Sequence, residues 1–249
     1  MNIVVCVKRV PDTETRIRLA EGDSDIDPGG VKYVMSPYDE FALEAALRVK
    51  DDQGEGEVTL LTLGSDNAKE TLRAGLAVGA DAAVLLRGTV TMDGLATAKT
   101  LAAELEARDA ALILFGVKAA DDDQQQVGPM VATLMGRPCV TNVASFEVGD
   151  GVVTCQREVE GGAEVVELCL PAVISITKGA FQPRYASLKG IMAAKKKPLE
   201  QKDVQVPDSQ LTVERLEYPP ARVEGRIVGE GADAVPELVR LLREEANAL

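Results

Sequence analysis

Short apolar runs rich in Val, Ile and Leu alternate along this chain with longer stretches whose apolar residues recur every three to four positions, and this alternation constrains the fold more than any other feature. Residues 2–8 form the first run, whose apolarity suits a strand buried on both faces. Ser36-Pro37-Tyr38-Asp39 then offers a capping hydroxyl, a proline at the first helical position and a carboxylate three residues after the cap. In the helix that this predicts, Phe41, Ala45 and Val49 recur at four-residue steps beside Ala42 and Ala46, an apolar stripe between charged residues. The pattern repeats as strand 58–63, helix 67–78, strand 82–86, helix 94–108 and strand 111–115. Such repetition predicts right-handed βαβ units and a parallel sheet.

A helix near 125–135 and a strand near 140–146 follow. Two β-rich stretches, 152–159 and 163–170, flank Gly161-Gly162, a hairpin that makes this edge antiparallel. After a strand at 172–176 the chain turns polar and carries Pro198, Pro207, Pro219 and Pro220. The expected fold class is therefore α/β, a doubly wound, mostly parallel sheet with a β-hairpin edge and an extended C-terminal arm. The expected division is an α/β domain over 1–198 and an arm over 199–249. In the arm a final helix near 235–247 places Leu238, Leu241 and Leu242 on one side. That face is buried either against another subunit or against its own domain.

Composition removes several kinds of chemistry. The chain contains no histidine, hence no imidazole general base, no histidine metal ligand and no histidine-dependent triad. Cys6, Cys139, Cys155 and Cys169 sit apart in apolar runs, with no CxxC spacing, and are expected to be buried thiols. No catalytic residue and no metal site are expected. A net charge of -13 repels a polyphosphate, and the one dense basic cluster is Lys195-Lys196-Lys197, so no nucleic-acid partner is expected. No apolar stretch approaches the ~20 residues needed to span a bilayer, so no membrane insertion is expected. The Met1-Asn2 start leads into a strand pattern without a basic leader, which points to the cytoplasm, or the mitochondrial matrix in a eukaryote.

Ligands of parallel α/β sheets bind beyond the carboxyl ends of strands. Here those ends are 6–9, 63–65 and 116–126, joined by 36–39 from the loop before the first helix. No GxGxxG or GxxxxGK[ST] follows any strand. The longest polar end is Gly116-Val117-Lys118-Ala119-Ala120-Asp121-Asp122-Asp123-Gln124-Gln125-Gln126-Val127-Gly128. Its aspartates either cap the next helix or receive a ribose hydroxyl or Lys118, leaving helix amides for a phosphate and glutamines for ribose or base. A second candidate surface, residues 182–192, mixes Arg184, Tyr185, Leu188, Ile191 and Met192 ahead of the lysine cluster. This mixture of aromatic, arginine and apolar side chains is typical of an interface anchor.

Four of these segments, taken in order, carry a resemblance: Val7-Lys8-Arg9-Val10-Pro11-Asp12, Ser36-Pro37-Tyr38-Asp39, the 121–128 loop, and Pro183-Arg184-Tyr185 with Ala194-Lys195-Lys196-Lys197. They resemble the beta subunit of electron transfer flavoproteins, from the first strand to about Leu199. The resemblance implies an adenine-nucleotide alpha hydrolase-like fold and a heterodimer whose alpha subunit carries the redox FAD. It implies electron flow from acyl-CoA and related dehydrogenases to a quinone oxidoreductase, with AMP bound in the beta subunit. By matching position, AMP would fall on Cys6, Ser36, Pro37, Tyr38, Asp39, Leu63 and Gly116 through Val127. The partner-recognition loop, 180–192, would use Pro183, Arg184, Tyr185, Leu188, Ile191 and Met192. The arm would pack on the alpha subunit. Phe181-Gln182 departs from the Asn-Glu common in the family. Gln126-Val127-Gly128-Pro129 is similar to a bifurcating branch that holds a second FAD in place of AMP, with NADH as donor. Asp121-Asp122-Asp123 is similar to the AMP branch, and a side chain at Asp122 favours AMP.

Overall fold

The chain folds as β1 (Asn2–Cys6), β2 (Arg9–Pro11), β3 (Tyr33–Met35), α1 (Pro37–Gln53), β4 (Glu57–Gly64), α2 (Ala68–Val78) and β5 (Ala82–Arg87). It continues through α3 (Gly94–Glu106), β6 (Leu112–Gly116), α4 (Val127–Leu134), β7 (Cys139–Val148), β8 (Val152–Val159), β9 (Gly162–Cys169) and β10 (Ala172–Ile176). The last elements are α5 (Leu188–Ala194), β11 (Leu199–Asp203), a short 3-10 turn (Ala232–Ala234) and α6 (Val235–Glu244). This computed structural model describes residues 1–22, 25–90, 92–221 and 224–249. They form two units, Met1–Arg215 and Leu216–Leu249.

In the larger unit nine strands make one sheet in the order β11-β5-β4-β1-β6-β10-β7-β8-β9. All neighbours are parallel except β7–β8 and β8–β9. The hairpin predicted at Gly161-Gly162 is the β8–β9 turn, and Gly161 adopts φ +81°, the left-handed region that a tight turn needs. The unbroken apolarity of β1 has its explanation in the two helical layers. Ile3 and Val5 join Leu43, Leu60, Leu72 and Leu114 in the core beneath α1 and α2, whereas Val4 and Cys6 join Leu61, Leu101, Leu105 and Ile113 beneath α3 and α4. Successive strand residues point to opposite faces, so a strand covered on both sides has no polar face to spare. Each fully buried Leu or Ile contributes about 2 kcal/mol.

Several elements differ from the local pattern. Residues 199–203, assigned to the arm by their polarity and by the prolines on either side, Pro198 and Pro207, form the edge strand β11, paired in parallel with β5 from Leu199↔Ala83 to Asp203↔Arg87. Lys202 reaches Glu104 at 2.8 Å and Arg108 reaches Glu200 at 3.0 Å, so charged side chains cover this edge. Residues 199–215 thus belong to the larger unit rather than to the arm. Residues 188–194, expected as loop, form α5, capped by the Ser187 hydroxyl accepting from Gly190 N at 3.0 Å. Pro11 and Arg9 pair with Tyr33 and Met35 in a small antiparallel ribbon, β2–β3.

The smaller unit carries α6, which ends at Glu244 rather than near 247. Arg240 binds Glu237 at 2.7 Å, one helical turn away, and Arg226 binds Glu245 at 2.7 Å.

Candidate functional site

From β1 the chain crosses to β4 and β5 on one side of the sheet and then returns to β6 on the other. The crossover helices diverge at that reversal, which leaves a crevice at the carboxyl ends of β1 and β6. Among the described residues, a cavity partly open to solvent lies there.

Asp39, in the first turn of α1, fixes the two strand ends. One carboxylate oxygen accepts the Lys8 amide at 2.7 Å and the other accepts the Gly116 amide at 3.1 Å. The approach is close enough that a Cβ on Gly116 would collide with the Asp39 carboxylate and come within 2.8 Å of Asp39 N. Burial pushes the Asp39 carboxyl up to about 7, against the two amides that favour its charged form. Burial likewise raises the Cys6 thiol, with the nearby Asp39 charge adding to it, so Cys6 packs as a neutral thiol. The capping box expected at this helix does not form. Ser36 makes no cap hydrogen bond, and its buried hydroxyl has no partner among the described residues. Asp39 does not reach back to the helix start; it bridges strands instead.

The aspartate run is divided between two lysines. Lys8 holds Asp121 at 2.8 Å and Asp122 at 2.7 Å, and Lys118 holds Asp123 at 2.7 Å. Burial works against the Lys8 ammonium, but its hydrogen bonds to Asp121 and Asp122 outweigh that and raise its affinity for the proton. Asp123 and Gln125 both adopt left-handed backbone, with φ of 51° and 58°. Such strain in non-glycine residues concentrates where a loop is held for a purpose. Gln124 Nε2 donates to Met92 O at 2.9 Å and Gln126 bonds Gln124, so both glutamine side chains lie on the α3 start, beside Gly94.

Of the residues singled out in the sequence, Cys6, Asp39, Leu63, Gly116, Val117, Lys118, Ala119, Asp122, Gln124, Gln125, Gln126 and Val127 line the cavity. Ser36, Pro37, Tyr38, Ala120, Asp121 and Asp123 lie outside its wall, although the Lys118 ammonium stands 5.7 Å over the Tyr38 ring. Sequence reasoning missed Val90 and Met92 at the mouth, Gly94, Thr97 and Leu101 on α3, Phe115 and Ser175. The α3 residues repeat at helical spacing, a signal that core packing gives equally well. Helix α4 starts at Val127 without a side-chain cap, and Val127, Gly128 and Pro129 line the cavity. The first amides of a helix lack intrahelical acceptors, so this end suits an anion. Leu63, Val90, Met92 and Leu101 supply apolar wall for a flat ring, and the glutamines supply donors and acceptors. The donor set fits an adenine nucleotide.

The second surface divides in two. Tyr185 is 96% exposed, Leu188 83% and Met192 72%, with Ile191 also exposed. Arg184, expected among them, is exposed but paired within the chain: its guanidinium meets buried Glu44 at 2.7 Å and Asp51 at 3.0 Å. Lys197, the last of the three clustered lysines, donates to Leu76 O at 3.0 Å and to Ala80 O, capping the end of α2. In return Arg73 donates to Ala194 O and to Lys197 O at 2.9 Å, capping α5. These bonds anchor α5 with Ala194 in the core and Leu188, Ile191 and Met192 facing outward.

The family model described as "Electron transfer flavoprotein domain" matches residues 25–207. A protein of Bradyrhizobium diazoefficiens named electron transfer flavoprotein subunit beta is 38% identical over the full length of both chains. One of the same name from Syntrophomonas wolfei is 38% identical over 90% of this chain and 88% of that protein. The Arabidopsis thaliana protein named electron transfer flavoprotein subunit beta, mitochondrial, is 38% identical over the full length of both chains.

Proposed function

Because the chain belongs to the electron transfer flavoprotein family, among its beta subunits, we propose that it binds AMP in the β1–β6 crevice and supports an alpha subunit that carries the redox FAD. It works as an electron-carrier subunit rather than as an enzyme. Electrons pass from acyl-CoA and related dehydrogenases to a quinone oxidoreductase without visiting the crevice.

The observation that carries this reading is the uncapped start of α4 at the topological switch point, flanked by Gln124 and Gln126. Phosphate on the α4 amides, adenine between Leu63 and the α3 side chains, and ribose beside the glutamines use every kind of group present. AMP itself supplies no redox chemistry; it stabilises the fold that binds it, by mass action. The chain's own residues hold the site: Asp39 fixes the strand ends, and Lys8 holds Asp121 and Asp122 back from the phosphate. Tyr185, Leu188, Ile191 and Met192 form the docking surface for a dehydrogenase.

A second reading, a bifurcating subunit with its own FAD and NADH as donor, is favoured by Gln126-Val127-Gly128-Pro129, all of which line the crevice. Against it, the Asp122 side chain, held by Lys8 at 2.7 Å, takes wall space that a larger ligand requires. Denaturing the purified heterodimer and quantifying the released nucleotides separates the two. One AMP and one FAD are expected; two FAD and no AMP refute the AMP assignment. A stable nucleotide-binding monomer or homodimer, never recovered with an FAD-bearing partner, would instead indicate a stand-alone signalling domain.

A further inference from the structure

Asp93 is 8% exposed and uses both carboxylate oxygens, for two different parts of the fold. One oxygen accepts Leu95 N at 2.8 Å and Ala96 N at 3.2 Å, capping α3. The other accepts Gln210 N at 2.7 Å and lies 3.3 Å from the Ser209 hydroxyl, more than a hundred residues along the chain. Residues 204–211 lead from the edge strand β11 toward residue 216. They are held first by Val204 N on Arg87 O at 2.9 Å, and Val206 packs so close to Gly88 that a Cβ there would stand 2.7 Å from it.

On the other side of Asp93 lies the crevice. Met92, its neighbour, accepts the Gln124 side chain at 2.9 Å, and Gly94, its other neighbour, carries Gln124 and Gln126 against its Cα. An unbroken run of contacts therefore leads from the crevice loop through Met92, Asp93 and Gly94 to Ser209 and Gln210. A carboxylate with both oxygens engaged cannot shift for one set of partners without loosening the other.

We propose that Asp93 is a positioning residue that couples the nucleotide crevice to the segment 204–211, so that a ligand engaging Gln124 and Gln126 tightens the hold on Gln210. The coupling rests on the nucleotide reading of the crevice, and it is reciprocal: fixing 204–211 raises nucleotide affinity by the same factor. A purely structural cap would hold α3 and leave residue 210 indifferent to the ligand.

Amide hydrogen exchange on the full chain, freed of nucleotide by dialysis and measured with and without AMP, tests this. AMP should slow exchange at 124–127 and, about fivefold or more, at 210–211. Asp93→Asn keeps a carbonyl for the α3 cap but sets an NH2 group against the Gln210 N–H. It should retain protection at 124–127, lose the AMP response at 210–211, and weaken AMP binding about fivefold. Ser209→Ala, a milder change, should reduce the response at 210–211 in part. If AMP protects 124–127 in the unmodified chain while 210–211 stays unchanged, the coupling is overturned with the nucleotide reading intact. If AMP leaves 124–127 unprotected, the nucleotide reading fails and the coupling with it.

Discussion

Replacing Asp39 by Asn tests whether one buried carboxyl clamps the ends of β1 and β6. Asn matches Asp in size, but only its carbonyl accepts a hydrogen bond; its NH2 must face either the Lys8 or the Gly116 amide, which Asp39 meets at 2.7 and 3.1 Å. A buried donor facing a donor costs about 1–3 kcal/mol. The pH dependence is the sharper part. The folded carboxyl has its pKa at about 7, raised chiefly by burial, whereas the unfolded one titrates in the ordinary carboxylate range. Between those values the folded chain binds one proton more than the unfolded chain, so this group's contribution falls as pH rises. The slope is at most about 1.4 kcal/mol per pH unit, so about 2 kcal/mol should be lost between pH 5 and 7. The amide that replaces the carboxyl in Asp39→Asn cannot titrate. Urea unfolding at pH 5, 6, 7 and 8 should show the unmodified protein far ahead of the variant at pH 5 and the gap narrowing toward pH 8. Parallel stability curves for the two proteins would refute the argument.

Gly116→Ala forces a methyl group onto the Asp39 carboxylate and within 2.7 Å of the Tyr38 carbonyl carbon, so it should cost about 3 kcal/mol in urea unfolding and abolish AMP retention. Glu44→Gln removes the charge that Arg184 and Arg48 share at 2.7 and 2.9 Å; because the arginines are partly exposed, the loss should be about 1–2 kcal/mol at pH 7. Burial works against the Glu44 charge, but the Arg184 and Arg48 hydrogen bonds win and lower its pKa. That stability is present above the ordinary carboxylate range and is lost as pH falls through the folded pKa, so chemical unfolding followed from pH 7 to pH 3 should show the variant less acid-sensitive. Leu188→Ala, at an 83% exposed position, should leave the unfolding midpoint, FAD content and heterodimer unchanged while slowing reduction by a dehydrogenase about tenfold. Loss of FAD or of the heterodimer would show that Leu188 serves the fold instead.

The arrangement around Asp39 separates what was legible in the sequence from what was not. Ser36-Pro37-Tyr38-Asp39 marks the start of α1 correctly, because proline at the first helical position is a local preference. The role of Asp39 is set by Gly116, 77 residues away, and no local pattern encodes that pairing. Lys197 belongs to a run of three lysines in the sequence, yet three backbone carbonyls at the end of α2 claim its ammonium. Residues 199–203 read as polar linker because they are polar; they become a strand because β5 has a free edge that accepts them in register.

By itself the sequence determined β1, the alternation of helices and strands from α1 to β10, the β8–β9 hairpin and the loop from Gly116 to Val127 as the polar end of a strand. Period and turn chemistry act over a few residues, and they are written in neighbouring side chains. Tertiary structure alone decided the strand order that opens a crevice between β1 and β6. It also decided the pairing of each lysine with its aspartates and the recruitment of Val90, Met92 and α3 as walls. Those outcomes depend on which distant surfaces meet, and only the closed sheet brings them together.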